Sequence, residues 1–575
     1  MSNIITCVVF NVVGIGASYF LSLLSGHQKK QVNWGSCVFW GSWVGLLLTY
    51  SLWLMVPDKL NVACYITFAI GLVGCVFCFK ENELKSFLKS EYFVAFLIII
   101  PFLFIVSYLP RHCDEFSHWV SLPQIFYGQN SLIPQEHWHT GNYTPLWTLQ
   151  ATFFQFFSPK GFDASLIYAV RINLFLSFFF FIKEKFDLTF LKASCLVLGV
   201  LIIFFVTKSA QNLLIELPLC LLLSSTPFLT GEMEKNNSRQ NLIFFCIALL
   251  CLYMLKKPLI AMVPAAFYIL WIKGYKKQLG GFILLFGVVY LSWKLKTAHM
   301  SEPWQWQHTF KIEGLWSDQA IAVYKILMEK VVGDSVRGLL FVLSMGIMYR
   351  RKKEVFFFYL IFSLFYLLGL VATYVYAFGN YYEEAINASY IRYVKIVFVP
   401  AYVYALYILL SVSPRLTQWD NALMKRPLPR YTFSFVVPLL FVCFFYPSLY
   451  GSHTSVELLY DQLKNQADVK DKKILFINQE AGIEKLNAFR YYAYEETRNI
   501  DGGSYRPVAD KEGWNIVEKN KFMDQLKSYD IIVVLTSDEW LNAILSDLTH
   551  HNMQRLGNLI VEKKANSYWV TTPST

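Results

Sequence analysis

The chain has 575 residues, of which 55% are hydrophobic, 18% aromatic and only 16% charged, against a usual charged fraction of about 25%. That balance excludes an ordinary soluble domain. With apolar runs of about 20 residues recurring along the chain, it specifies an all-α polytopic membrane protein. The net charge of +11 is no nucleic-acid footprint, because the basic residues gather in alternate loops, as the positive-inside rule requires.

The first apolar block, residues 3–25, opens "MSNIITCVVF" without a basic n-region or a clean small-x-small cleavage site. It reads as a span and not as a removed signal peptide. Further spans are expected near 35–56, 60–79, 91–109, 163–182, 188–206, 212–230, 241–255, 258–272, 280–295, 334–349, 355–377, 391–411 and 431–449, about 14 in all. The loops "GHQKK", "KENELKSFLKS", "KEK", "GEMEKNNSRQ", "KGYKK", "YRRKKE" and "RLTQWDNALMKRPLPR" then fall on one side, and their Lys and Arg make that side cytoplasmic. The N-terminus, loops 110–162, 296–333 and 378–390, and the C-terminal tail are expected on the outer side. Most of the eleven cysteines lie inside apolar blocks as small core residues, and no disulfide framework follows from their spacing.

The 110–162 loop holds "EFSHWVSLPQIFYGQ" and "TPLWTLQATFFQFFS", which read as amphipathic helices at the outer interface. Its "EHWHTGNYT" carries His137 and His139, in no spacing that matches a metal cage. Trp119, Trp138 and Trp147 read as headgroup-level anchors before they read as sugar-stacking platforms. "NYT" at 142–144 and "NAS" at 387–389 are outer-side sequons, relevant only in a host that glycosylates Asn.

Past Tyr446-Pro447 the composition turns mixed. "KKILFIN" (472–478) and "YDIIVVLT" (529–536) read as buried parallel strands, and "NLIVEKKANSYWVTT" (558–572) as an edge hairpin. "SVELLYDQLKNQ" and "NKFMDQLKSY" read as helices. The expectation is a small extracytoplasmic α/β domain over 451–575, with neither a GxGxxG nor a nucleophile elbow. The membrane region divides into additional N-terminal helices (1–90) and a region 91–450 that carries the chemistry.

Charged groups stand out at the outer ends of the spans. Asp114 and Glu115 sit side by side in "RHCDEFSHW", directly after an apolar run. His118, four residues on, would share a helical face with Asp114 and orient it. Glu216 in "AQNLLIELPL", Lys256 and Lys257 in "YMLKKPLIA", and Arg392 and Tyr393 in "YYEEAINASYIRYVK" occupy the same leaflet. Intramembrane charges of both signs at one face mark a site.

In order and spacing these motifs resemble the C-type (GT-C) integral membrane glycosyltransferases, over roughly residues 90–410. The set comprises an outer loop opening with Asp-Glu, then "YTPLW" at 143–147, Arg171 in "YAVRINL", an acid before Pro218, and a Lys-Pro turn. Protein O-mannosyltransferases and the aminoarabinose transferases that act on lipid A are members. The three extra spans ahead of the Asp-Glu loop depart from the family pattern. The resemblance implies a sugar transferred from a polyprenyl-phosphate donor to a glycan, lipid or protein acceptor, in a plasma membrane of the bacterial inner-membrane kind. Asp114 would be the general base with Glu115 beside it, Glu216 the second acid, and Lys257 and Arg392 the cations facing the carrier phosphate. A single phosphate leaving group requires no cofactor and makes a divalent metal optional. A single direct displacement would invert the anomeric centre; retention needs a second carboxylate on the other sugar face.

Two other classes compete. Envelope polysaccharide polymerases and ligases depend on Arg and His in a large late outer loop, whereas loop 378–390 is short and acidic. Transporters favour internal repeats and broken helices near the midplane, and no repeat is visible here.

Overall fold

The computed structural model describes residues 2–24, 33–80, 84–106, 108, 110, 115–133, 144–159, 161–186, 188–206, 216–231, 238–298, 312–377, 382–424, 432–445, 455–479, 483–507, 515–551, 559–564 and 567–571. They fall into two compact units, one of Met1–Tyr108 with Leu122–Tyr450, the other of Leu109–Ser121 with Gly451–Thr575.

Helices cover every apolar stretch marked in the sequence. Seven of them are long and apolar enough to cross a membrane, from Ser2–Leu23 to Ala385–Ser411, and four shorter apolar helices accompany them. Helices Glu216–Gly231, Ser335–Arg351 and Thr432–Phe445 lie at the three remaining apolar stretches. Nine cysteines of the described residues form no disulfide, and six of them are buried.

Glycine decides how the first three helices meet. Hydrocarbon offers no hydrophobic drive between helices, so close backbone contact must supply the attraction. A Cβ at Gly41 would lie 1.7 Å from the Gly14 carbonyl oxygen, and one at Gly16 would lie 1.8 Å from that of Gly71. Helices Ser2–Leu24, Trp34–Met55 and Leu60–Cys78 therefore pack backbone to backbone. Gly35 in turn meets Phe180 of helix Ala164–Lys185, and its N–H donates to Glu184 Oε2 at 2.8 Å. Helix Ala164–Lys185 is buried from Ala164 to Ile182, as expected of a helix that is apolar all round. On its flank Tyr92 donates to Asn11 Oδ1 at 2.5 Å. Helix Glu91–Ile105 is pinned to its neighbours by Lys183, 2.7 Å from Glu91 Oε2, and by the Ser434 hydroxyl, which donates to the Glu91 carbonyl at 2.8 Å.

The loops differ from expectation in two places. The stretch 144–157 is no amphipathic interfacial helix: every residue of helix Leu146–Phe153 is buried, because it packs against Trp34–Met55 and Ser238–Leu255. Leu122, Ile125 and Phe126 of Ser121–Gln129 are buried likewise. The short acidic loop expected at 378–390 is helical from Tyr382, so one helix runs Tyr382–Ser411 over 30 residues. At 1.5 Å per residue it is about 45 Å long and outreaches a hydrocarbon core of about 30 Å. Helix Asp318–Gly333, N-capped by the Ser317 hydroxyl accepting from Ala320 N–H at 3.2 Å, occupies the expected 296–333 loop.

The second unit is a three-layer α/β domain. Its strands are β1 (Ile474–Asn478), β2 (Ile500–Gly503), β3 (Tyr505–Pro507), β4 (Asn515–Val517), β5 (Ile531–Thr536), β6 (Leu559–Lys564) and β7 (Ser567–Thr571). The main sheet has the order β2-β1-β5-β6-β7, and β3 pairs with β4. As expected, β1 and β5 are parallel neighbours, in register Ile474 with Ile531, and β6-β7 form an antiparallel edge hairpin. Strand periodicity divides the core. Ile474, Phe476, Ile531 and Val533 face helices Ser455–Gln466 and Ile483–Ala493. Leu475, Ile477, Ile532 and Val534 face helices Lys519–Leu526 and Glu539–Thr549. Phe116, from the segment after the fourth expected span, is buried in the first of these cores against Tyr491 and Tyr492.

Candidate functional site

Glu216 is the first residue of helix Glu216–Gly231 and is 1% exposed. A carboxylate in a first helical turn is favoured by the unpaired N–H groups there, and Pro218 is tolerated for the same reason. Burial still makes the charge costly unless cations face it. Two do. Lys256 Nζ lies 3.7 Å from Glu216 Oε1, and Arg392 Nε lies 3.5 Å from the same oxygen. Both distances exceed that of a tight charge-assisted bond. Glu216 Oε2 is buried and has no hydrogen-bond partner among the described residues.

Tyr393 holds the two cations. Lys256 Nζ sits 4.2 Å from its ring centroid, and the Arg392 guanidinium carbon 5.4 Å from it, within range of the ring quadrupole. The Tyr366 hydroxyl donates to the Tyr393 carbonyl at 3.3 Å. Lys256 reaches this point because the chain breaks there: it is extended, with φ −154° and ψ 120°, between helix Ser238–Leu255 and the 3-10 turn Lys257–Ala261. Lys395, one turn beyond Arg392 and 6% exposed, feels the charges of Glu216, Arg392 and Lys256. Two cations thus face one buried carboxylate, with the Lys395 ammonium nearby.

The structure therefore brings together Glu216, Arg392 and Tyr393 of the residues singled out in the sequence. It places Lys256 on the carboxylate, while the adjacent Lys257 is exposed. Lys395 was not anticipated. The signal was a lone Lys in the apolar run "YVKIVF", three residues after Arg392 and so on the same face. Arg171 is fully buried within helix Ala164–Lys185.

Glu115 and His118 lie in the other unit. Asp114 is outside the described residues, as are His137, His139 and Trp138. Glu115 is fully buried and opens a π-helical turn, Glu115–Trp119, closed by Val120 N–H to the Glu115 carbonyl at 2.9 Å. The Ser121 hydroxyl donates to the Phe116 carbonyl. The expected relation of His118 to Asp114 lies outside the described residues. His118 is half-buried with its ring against Trp119. π-turns of this kind recur at functional positions.

Among the described residues no three His, Cys, Asp or Glu side chains converge as metal ligands do. The chain matches no family model and no curated protein sequence.

Proposed function

We propose that the protein is an integral membrane glycosyltransferase of the C-type. It would pass a sugar from a polyprenyl-phosphate donor to an extracytoplasmic acceptor (glycan, lipid or protein) with inversion. The observation that carries this reading is the charge cluster at Glu216: Lys256 and Arg392 face one buried carboxylate in a bundle of apolar helices, with Lys395 nearby. A membrane protein that concentrates positive charge there suits a lipid-borne anion, and a lipid phosphate carries its charge at the end of an apolar chain. As the sugar leaves, charge develops on that phosphate, and fixed cations stabilise it without reorganising. Glu216 keeps the cations from repelling one another and fixes their spacing. In this reading Asp114 takes the acceptor hydroxyl's proton and Glu115 positions the loop or the acceptor. The N-terminus and residues 451–575 are extracytoplasmic, in a plasma membrane of the bacterial inner-membrane kind.

The test is transfer from labelled polyprenyl-phosphate sugars by purified protein, with carrier release as the readout. Asp114→Asn keeps the side chain's size but removes the base. It is expected to bind donor as wild type does and to transfer about 10²–10⁴-fold more slowly. Normal transfer by Asp114→Asn at matched expression would overturn the assignment of the base. Absence of carrier turnover by wild type across donors would overturn the enzyme reading.

A further inference from the structure

Two tight elbows between apolar helices meet at one place. In the first, helix Met262–Ile272 ends and helix Lys276–Lys296 begins three residues later. Gly274 allows the reversal at φ +79°, and Tyr275 N–H closes it on the Leu270 carbonyl at 2.8 Å. In the second, Lys352 alone separates helix Ser335–Arg351 from Lys353–Ala377, and its N–H donates to the Met348 carbonyl at 2.7 Å. Helices Met262–Ile272 and Lys353–Ala377 pack side by side, and Lys273 pairs with Glu354 across the junction. Glu354 is the one acid in "KGYKKQ" and "YRRKKE". Lys276, Lys277, Arg350, Arg351, Lys352 and Lys353 remain exposed, and among the described residues none of the six pairs with an acid. Lys276 Nζ lies 4.2 Å from the ring centroid of Trp271, and Lys353 Nζ 5.6 Å from that of Tyr349. Both rings are exposed, as are the apolar side chains of Ile272, Leu284, Leu343 and Phe357 on the four helices. Cations, then exposed aromatics, then apolar side chains is the layering of a headgroup region over hydrocarbon. The positive-inside rule accounts for the sign of each loop separately. It does not require two loops far apart in sequence to converge, nor their single acid to join them.

We propose that this basic junction binds the head of a phospholipid that carries two phosphates, of the diphosphatidylglycerol type. Basic clusters at the ends of neighbouring spans recognise such heads by charge. Six like charges held on elbows this short cannot spread apart, and a dianion set among them relieves their repulsion. Lys276 and Lys277 take one phosphate, and Arg351 and Lys352 the other. The Lys273–Glu354 pair fixes the two elbows against each other, and the acyl chains descend past Trp271, Ile272 and Phe357. A lipid with a single phosphate would meet one elbow and leave the other unmatched. The lipid belongs to the leaflet that the basic loops mark as cytoplasmic, and the proposal is independent of the reading of the Glu216 cluster.

The experiment measures lipid retention. Full-length protein in phosphatidylcholine nanodiscs containing diphosphatidylglycerol at a small mole fraction is examined by native mass spectrometry. Wild type is compared with Lys276→Gln/Lys277→Gln, with Arg351→Gln/Lys352→Gln, and with Lys85→Gln/Lys89→Gln. The last pair removes the same charge from another exposed basic segment expected on the same side. All four proteins are first matched for melting temperature in lipid-free detergent. At the usual contribution of a surface cation to anionic-lipid binding, each elbow pair is expected to lower affinity about 30-fold, and the Lys85/Lys89 pair to leave it unchanged. Phosphatidylglycerol at equal total charge is expected to be retained more weakly than the two-phosphate lipid. Wild-type retention by either elbow variant would overturn the site, and an equal loss in the Lys85/Lys89 variant would reduce it to general surface charge. Equal retention of phosphatidylglycerol would overturn the two-phosphate assignment. Displacement of the lipid by heparin at physiological salt would assign the junction to a soluble acidic partner and overturn the lipid reading.

Discussion

Glu216 is held between Lys256 and Arg392, with Lys395 nearby. Removing one partner of a buried charge set leaves the others unpaired, at a cost of about 3–5 kcal/mol when burial is complete. Lys256 and Arg392 keep 15% and 23% of their side-chain surface, so solvent screens part of that. Glu216→Gln preserves shape and leaves Lys256, Arg392 and Lys395 mutually repelling. Its melting temperature is expected to fall, and polyprenyl phosphate is expected to raise it by more than it raises that of wild type. An equal lipid-induced shift in the two proteins would show that no anion sits among these cations. Arg392→Lys keeps the charge but not the planar fork, and is expected to recover only part of the carrier affinity lost in Arg392→Ala; equal affinity in wild type and the Ala variant would remove Arg392 from the site. The charges themselves were legible in the sequence. Which of the two lysines turns inward was not, because it depends on where the helix breaks ahead of Pro258, and periodicity does not report that. Lys395 was passed over because a single Lys in a long apolar run looks like an incidental residue until its neighbours across the bundle are known.

At the scale of elements, apolar blocks announced helices, and helices stand at all of them, because burying or solvating a backbone in hydrocarbon leaves no other economical hydrogen-bonding pattern. The connecting segments were harder. "TPLWTLQATFFQFFS" carries the same residue types whether it lies at an interface or inside a bundle, and only the neighbours Trp34–Met55 and Ser238–Leu255 decide for the interior. In the α/β domain the apolar strands β1, β5 and β6 were readable. β2, with Gly502 and Gly503 in "IDGG", was not, since its place at the sheet edge comes from pairing with β1. The glycines of the first three helices make the sharpest element-level prediction. Gly41→Ala places a methyl group 1.7 Å from the Gly14 carbonyl oxygen and must push two helices apart, at about 1–3 kcal/mol. Gly280, inside helix Lys276–Lys296, has nothing within 4 Å of such a methyl, and Gly280→Ala should stabilise by up to about 1 kcal/mol through helix propensity. Thermal unfolding of both variants in one detergent should move the melting temperature in opposite directions; shifts of one sign would contradict the packing described.

Over the whole molecule, the proposed reading takes the distribution of Lys and Arg among the loops to put the C-terminal unit outside the cytoplasm. Lys521 is highly exposed on helix Lys519–Leu526. Lys521→Cys is expected to react with a membrane-impermeant thiol reagent in intact spheroplasts, above the wild-type background. Labelling that appears only after lysis would reverse the orientation and remove the outer-face reading.

The C-terminal unit is not continuous along the chain: Leu109–Ser121 belongs to it, and Gly451–Thr575 completes it. During synthesis Phe116 therefore leaves the ribosome roughly 370 residues before helix Ile483–Ala493, whose Tyr491 and Tyr492 pack on it. At about 5–20 residues per second this is a wait on the order of 20–70 s. Throughout that interval an aromatic side chain and the Glu115–Trp119 turn have no finished partner. Chains stopped before residue 451 never supply one, so a truncated protein lacks the core that buries Phe116 in the completed one.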